Sequence, residues 1–389
     1  MSHLAEQKKL LVSLGLEAHC GLLEDFAAFC AREIAPSAAR IDAEREFPGE
    51  SLKKLAAKGF TATSFAKESG GRGLPYPVAL ACTEHVAKSC ASTALASGIH
   101  GAVARGVERF GSPAQKKRFL TGLVSGKKLA CFSLSEPEAG SDAGGIQCSA
   151  LPGKGGYTLS GKKTYATNSG QAEVYLIFAR APEGITAFLT EKVKGMTFGH
   201  RFETLGVRGS STREILFENA KLPEDAMLGK PGEGFDIAKS ILNHGRLSIA
   251  AQALGIGQAA FEKTLLHVSR RKQFGRPLAE FQESQMKLAE MQSSLAAARA
   301  LTYHAGALKG RGDEAASEAA QAKLVASEAA LRVCDLALQL HGGRGYTEEG
   351  EVHRHWRDAR LMTIGEGTSE ILRLVIAKFA LKEAQHDQG

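Results

Sequence analysis

The hydrophobic period of the chain changes twice. From about residue 20 to 127, apolar positions recur every three or four residues, as in "LLEDFAAFCAREIAPSAARI", until Pro36 interrupts. "FPGESLKKLAAKGF" predicts a short helix opened by Pro48 and closed by Gly59. "PVALACTEHVAKSCASTALASGIHGAVARGVERFG" is rich in small residues and predicts one or two tightly packed helices. Near residue 128 the period shortens. "YTLSGKKTYATN", "VYLIFARA", "ITAFLTEK", "TFGHRFET" and "REILFENAKL" alternate over short runs punctuated by Gly, Pro and Asn, the pattern of a small β domain reaching about residue 230. The helical period then returns in longer units. Residues 245–269, 314–340 and 368–385 read as helices, and Phe281, Leu288, Met291, Leu295, Ala298 and Thr302 form one stripe. Four long helices with short connections predict a four-helix bundle. The expected fold is mainly α with a central β domain, divided 1–127, 128–230 and 231–389.

Composition narrows the function. The chain has 389 residues, 43% hydrophobic and 23% charged, which suits an ordinary folded chain with a large core. The formal net charge of +7 is spread among alternating signs. No basic tail or aromatic-interleaved basic run points to nucleic acid. The seven cysteines (20, 30, 82, 90, 131, 148 and 334) show no CxxC spacing and are expected to be reduced and buried. His353 and His355 are spaced like ligands, but no Cys or carboxylate cluster joins them, so no metal is expected. No apolar run approaches the ~18 residues of a membrane helix, and the N-terminus has no signal-like apolar stretch. A bacterial cytoplasm is expected; a processed mitochondrial matrix protein would look the same.

Four segments carry candidate chemistry. In "TIGEGTSEIL", Glu366 lies between Gly365 and Gly367, which let a ligand approach the backbone closely. Thr368 or Ser369 is placed to cap the next helix, whose N-terminus stabilises a carboxylate, whereas an apolar pocket would raise its pKa. A base for proton abstraction fits; so does a solvent-facing loop acid. "CFSLSEPEAGSD" (131–142) gathers Ser133, Ser135, Ser141 and Gly140 in a bend able to hold a polar ring edge or a phosphate, or simply to turn. It is neither a Walker A nor a dinucleotide fingerprint. "SRRKQFGRPLAEFQ" (269–282) offers Arg271 as a pyrophosphate clamp, or is a basic interhelical loop. "QLHGGRGY" (339–346) reads as a helix stop at Gly342, or as a place for a flat or phosphorylated ligand to lie.

Taken in order, "FPGESLKKLAAKGF", "SEPEAGSD", "KKTYATN", "LGVRGSST", "GRLSIAAQALGIGQAA", "RKQFGRPLAEFQ", "QLHGGRGYTEE", "RDARLMTIGEGTSEI" and "RLVIAKFAL" make the chain, from about residue 22 to 384, resemble the acyl-CoA dehydrogenase family of flavoenzymes. The resemblance implies an N-terminal helical domain, a barrel-like middle β domain and a C-terminal four-helix bundle. It implies a homotetramer, a dimer of dimers in which a neighbouring subunit completes each FAD site. Phe132, Leu134 and Ser135 would contact the isoalloxazine, with Gly140 and Ser141 in the same loop and Ser141 facing the pantetheine arm. Tyr165, where many relatives carry Trp, and Thr167 would flank the flavin. Arg271, Phe274, Gln282, Gln339, Gly342 and Gly343 would bind pyrophosphate and adenosine across the dimer. Thr368 and Glu370 would finish the cofactor site.

By the same resemblance Glu366 is the catalytic base. It removes the α-proton of an acyl-CoA while the β-hydride passes to flavin N5, giving the trans-2-enoyl-CoA. The Glu366 N–H and a ribityl hydroxyl would polarise the thioester, with Gly367 beside the substrate. Some subfamilies place the base just before the substrate-side arginine; in "LNHGRLS" that position is Gly245, ahead of Arg246. Asn243 stands where many relatives have Asp. Gly365 replaces a common Tyr, which implies room for branched or cyclic acyl groups. Electron-transferring flavoprotein is the expected acceptor. Acyl-CoA oxidases and enoyl reductases on the same fold are the enzymatic alternatives, and a non-catalytic flavin-containing binding protein is the remote one.

Overall fold

The computed structural model describes residues 3–386; the outer ends of the expected first and third domains, residues 1–2 and 387–389, lie outside it. The helices of nine or more residues are α1 (His3–Ser13), α2 (Cys20–Phe29), α3 (Gly49–Ala57), α4 (Tyr76–Ser89), α5 (Ala91–Phe110), α6 (Gly234–Arg270), α7 (Gln282–Gly310), α8 (Ala316–His341), α9 (Val352–Met362) and α10 (Ser369–His386). Between α5 and α6 lie the strands β1 (Ala130–Ser133), β2 (Ser149–Gly153), β3 (Gly156–Thr167), β4 (Val174–Ala181), β5 (Gly184–Thr190), β6 (Met196–Arg201), β7 (Thr212–Pro223) and β8 (Met227–Leu228). The sequence of helices, sheet and long helices matches the expected class.

The sheet runs β6-β7-β3-β2-β4-β5-β8, with β1 parallel to β4. β2 meets β4 at one parallel position, Ser149 opposite Arg180, so the sheet folds there into two wings. Leu159, Ile215 and Phe217 of one wing share a core with Tyr175, Ile177 and Phe188 of the other. On the outer face of β4, Leu176 and Phe178 pack with Val103 and Val107 of α5 and Ile237 and Ile241 of α6. β4 is thus apolar on both faces, so "VYLIFARA" is a near-continuous buried run and not the alternating strand expected from the sequence.

Helix α6 spans 37 residues and carries the bundle's centre. Its face is built of Ala and Gly so that neighbours approach closely. At Gly255 an added Cβ would meet the Lys88 nitrogen of α4 at 2.8 Å. Of the expected stripe, Met291, Leu295, Ala298 and Thr302 are fully buried on α7, Leu288 is half-buried, and Phe281 precedes the helix.

Three expectations need correction. Helix α1 lies ahead of the predicted helical start near residue 20. Its buried face is His3, Gln7 and Leu11, two of them polar, so hydrophobic periodicity did not reveal it. His3 and Gln7 bond the buried carboxylate of Glu84 at 2.8 and 2.9 Å, and Arg299 pairs with the same group at 2.7 Å. The bundle's first helix begins at Gly234 rather than 245, because its first turns already lie against the β domain. All seven cysteines are free, but Cys20 is only half-buried, at the start of α2.

Candidate active site

Glu366 sits in the bend between α9 and α10. The chain turns through two consecutive left-handed residues, Glu366 at φ +57° and Gly367 at φ +99°. A non-glycine residue in that region costs roughly 1–2 kcal/mol, and such strain collects at functional sites. The bend is tied by hydrogen bonds from the Gly365 N–H to the Leu361 carbonyl (2.9 Å) and from the Ser369 N–H to the Thr363 carbonyl (3.1 Å). Thr368 is the cap: its hydroxyl accepts from the Ile371 N–H at 3.3 Å. The Glu366 N–H makes no hydrogen bond among the described residues. Glu370 is exposed in the first turn of α10.

The Glu366 side chain points at α6. A Cβ on Gly245 would lie 2.7 Å from the Glu366 Cδ, so the missing side chain at 245 is the space the carboxylate fills. Burial raises the Glu366 pKa to about 7, against the opposing pull of Arg246 and Lys323. Of the influences weighed from sequence, burial is the leading one here. Arg246 donates to the Asn243 Oδ1 at 2.9 Å. Asn243 is buried, and its carboxamide oxygen is committed to that arginine. Burial lowers the Arg246 pKa and Glu366 raises it.

Gly245 also lines a cavity of about 110 Å³ between α4, α5 and α6, with Phe60, Phe65, Tyr76, Leu80 and Gly101 among its walls. Tyr76 and His244 hydrogen-bond within it at 3.1 Å. Asn243 lines a second, wider cavity of about 390 Å³ that carries Arg109 and Lys239.

The β domain presents the other candidates. Phe132, on β1, packs against Phe178 at 5.2 Å between ring centres. Leu134 is buried, Ser135 half-buried, and Gly140 and Ser141 are exposed. A buried ion pair shapes this loop: Lys163 Nζ lies 2.7 Å from Glu136 and 2.9 Å from the Leu134 carbonyl. The β3–β7 register shifts between Lys163 and Ala166, and the Thr164 N–H turns away to the Ser135 carbonyl. This irregularity puts Tyr165 at φ +51° and leaves its ring 64% exposed beside Phe202, with Thr167 half-buried next to it.

The remaining predicted residues lie elsewhere. Arg271 and Phe274 belong to a small hairpin, β9 (Lys272–Gln273) and β10 (Arg276–Pro277), following α6; Gln282 opens α7. Phe274 is 94% exposed. Gln339, Gly342 and Gly343 are exposed at the end of α8, and His267 stacks on His341 at 4.2 Å to join the two helix ends. Gly342, at φ +60° and ψ −142°, ends α8 in a conformation that glycine adopts readily, though not the usual left-handed cap. At ~1.5 Å rise per residue, Gly245 and Arg271 are roughly 39 Å apart along α6. Within one chain the two groups of candidate residues are therefore well separated along the bundle.

An uncovered flat aromatic at Tyr165, with hydroxyls at Thr167 and Ser141, suits a ligand that carries a flat ring with polar edges. FAD is such a ligand. Two features escaped the sequence. Lys323 is fully buried on α8, and its Nζ donates to the Gly367 carbonyl at 2.7 Å. Its position among Ala319, Ala322 and Ala326, on one helical stripe, was the available signal. The Glu136–Lys163 pair had none, because its partners are 27 residues apart. Among the described residues no group of three His, Cys, Asp or Glu is arranged to hold a metal, and no helix is long and apolar enough to cross a membrane.

Comparison with known proteins bears on the same arrangement. Family models described as the acyl-CoA dehydrogenase N-terminal, middle and C-terminal domains match residues 17–127, 131–220 and 232–381. The mitochondrial short-chain specific acyl-CoA dehydrogenase of Homo sapiens is 41% identical over 94% of this chain and 90% of its own. Butyryl-CoA dehydrogenase from Megasphaera elsdenii superposes with a TM-score of 0.90 at 38% identity, covering 92% of this chain and 98% of that one. A chain solved under the description electron transferring flavoprotein of Acidaminococcus fermentans gives 0.91 at 34% identity, covering 93% and 97%. With an uncovered aromatic ring on its β domain, a glutamate closed in against Gly245 and likeness along nearly its whole length, the chain belongs to the acyl-CoA dehydrogenase family.

Proposed function

We propose that this acyl-CoA dehydrogenase acts on short acyl-CoA thioesters, with Glu366 as the base that removes the α-proton. The single observation that carries the reading is the Glu366 carboxyl, held against Gly245, which itself lines the cavity between α4, α5 and α6. A pKa near 7 keeps a useful fraction ionised while leaving it basic enough to take a carbon-bound proton. The acyl tail enters that cavity. The unpaired Glu366 N–H is free to donate to the thioester oxygen, where negative charge grows as the proton leaves. Gly365 and Gly367 keep side chains out of the way of that approach.

FAD is the family's cofactor and supplies the hydride acceptor. Tyr165 and Thr167 flank its ring, the 132–135 segment meets the ring edge, and Thr368 and Glu370 stand beside it. Arg271, Phe274, Gln282, Gln339, Gly342 and Gly343 serve the FAD of a neighbouring copy, since their own Glu366 is too distant. Asn243 and Arg246 face the substrate, and the CoA arm passes Ser141 and the wider cavity with Arg109 and Lys239. The short-chain assignment draws on the human and Megasphaera relatives. Electron-transferring flavoprotein as acceptor draws on the Acidaminococcus likeness.

The test is the visible spectrum of the purified protein during anaerobic addition of butyryl-CoA. Flavin bands that bleach in the wild type and persist in Glu366→Gln are expected. Bleaching that survives in Glu366→Gln overturns the base assignment, and bands that no saturated acyl-CoA bleaches overturn the reaction.

A further inference from the structure

Up to residue 330 the buried face of α8 is alanine and serine apart from one residue: Ala319, Ala320, Ala322, Ala326, Ser327 and Ala330 are all fully buried. Lys323 interrupts it. Its side chain is as inaccessible as theirs, in a place where an alanine or leucine would pack without desolvating a charge. A buried ammonium persists where something specific compensates for it. Here that is the Gly367 carbonyl, 2.7 Å from Nζ, in the residue directly after Glu366.

The position matters because the bend is strained. Glu366 and Gly367 are both left-handed, and backbone hydrogen bonds tie the bend at Gly365 and Ser369 but not between them. The lysine grips the carbonyl in that gap. Its charge also lies within the electrostatic reach of Glu366. The other charged groups around Lys323 are Arg246 from α6, Glu328 further along α8 and Glu370 from α10. Glu328 is engaged by Arg373 at 2.6 Å, and Glu370 is exposed. Arg246 and Lys323 are therefore the cations that act on the Glu366 carboxyl.

We propose that Lys323 is a positioning residue for the reaction: by clamping the Gly367 carbonyl it fixes the bend that aims Glu366, and its buried charge favours the ionised base. This rests on the reading of Glu366 as base. Burial lowers the lysine's pKa to about 8, with Glu366 pulling it back up, so the ammonium is retained at neutral pH. Two roles are separable by chemistry. A neutral amide keeps a donor near Gly367 and loses the charge; a thioether loses both.

The experiment compares wild type, Lys323→Gln, Lys323→Met and Glu366→Gln as FAD-loaded enzymes, following anaerobic flavin reduction by butyryl-CoA from pH 5.5 to 9. Lys323→Met is expected to lose at least ~10-fold in reduction rate and to shift the acidic limb upward by about one pH unit. Lys323→Gln is expected to share the shifted limb while recovering part of the rate. A merely structural lysine would lower stability without moving that limb. Wild-type rate and limb in a Lys323→Met enzyme with a normal flavin spectrum overturn the proposal. So does failure of both Lys323 variants to fold or take up FAD, which would make the lysine an element of the fold. Persistent reduction in Glu366→Gln is a different failure: it removes the base assignment, and the proposal with it.

Discussion

The Glu366 carboxyl occupies the volume that a side chain on Gly245 would need: a Cβ built there lies 2.7 Å from the Glu366 Cδ. Two segments far apart in sequence thus address one point in space. Gly245→Ala should fold, because position 245 is ordinary helix, but it must push the carboxyl aside. A displacement of that order at a reacting group costs on the order of 100-fold in kcat. The converse is stronger: Gly245→Glu combined with Glu366→Gly should regain flavin reduction well above Glu366→Gly alone, since the new carboxylate starts beside the same point. Stopped-flow reduction by butyryl-CoA measures both; a double variant as inactive as the single one would refute this geometry.

The raised pKa of Glu366 fixes the pH dependence. A base must be unprotonated in the free enzyme, so kcat/KM should rise with pH and level off through about 7 rather than near the ordinary glutamate value. Burial is the leading cause, so a substitution that opens the site to water should move the limb down. An acidic limb near 4.5 would show that the carboxyl is solvated in solution.

The extent to which this was visible in the sequence follows from where each signal resides. Local signals survived. Glycines flanking an acid, a hydroxyl before a helix and a long alternating run each declare themselves within ten residues, and the bend at Glu366, a cap at Thr368 and strands β3 to β7 were all legible that way. Signals that need a partner from elsewhere did not. Helix α1 buries His3 and Gln7 because Glu84 awaits them; Lys323 is buried because Gly367 bends back over α8. Strand β1 was read as a turn because its four residues are defined by pairing with β4, more than forty residues on. The Arg271 segment was recognised as a motif, but its distance from Glu366 is a property of α6 as a continuous helix.

Gly365 tests substrate width. An added Cβ there meets only Leu361, at 3.7 and 3.9 Å, ordinary contact distances, and its backbone is not left-handed. Gly365→Tyr should therefore fold and bind FAD. Its ring would narrow the space beside Glu366, so kcat/KM on isobutyryl- and isovaleryl-CoA should fall at least ~10-fold more than on butyryl-CoA, a difference of about 1.4 kcal/mol. Unchanged activity on the branched thioesters would mean that the glycine does not set the width.

Stability should hinge on Glu84. Its carboxylate is fully buried and bonds His3, Gln7, Arg299 and Tyr303. Burial would raise its pKa, but Arg299 and His3 more than offset that and hold it below the usual carboxylate range. The sign follows: the stability it contributes is present above the ordinary carboxylate pKa and is lost as pH falls through the depressed value. Glu84→Ala leaves the buried Arg299 guanidinium with only Glu6 (2.8 Å) and the Gln258 carboxamide oxygen (2.9 Å) as partners and should cost about 3 kcal/mol, the low end for a broken buried pair. Denaturant unfolding of the holoenzyme at neutral pH checks this, and a loss under 1 kcal/mol would show that the network is dispensable.

The separation of Arg271 from Glu366 makes a prediction about subunits rather than residues. Arg271 lies roughly 39 Å from Gly245 along α6, so under the proposed FAD assignment its guanidinium would serve a site other than its own chain's. Arg271→Ala should weaken FAD retention by about 1.5–3 kcal/mol, the range of a charge-assisted hydrogen bond, and leave Glu366 untouched. Glu366→Gln should bind FAD and stay inert. Unfolded together in equal amounts and refolded with limiting FAD, the two variants give mixed pairs in which one site draws an intact Glu366 from one copy and an intact Arg271 from the other. About one quarter of the sites should then be active, though each parent alone is nearly dead. Activity that never exceeds the parents' would place both residues in a site made by a single chain, contrary to the length of α6.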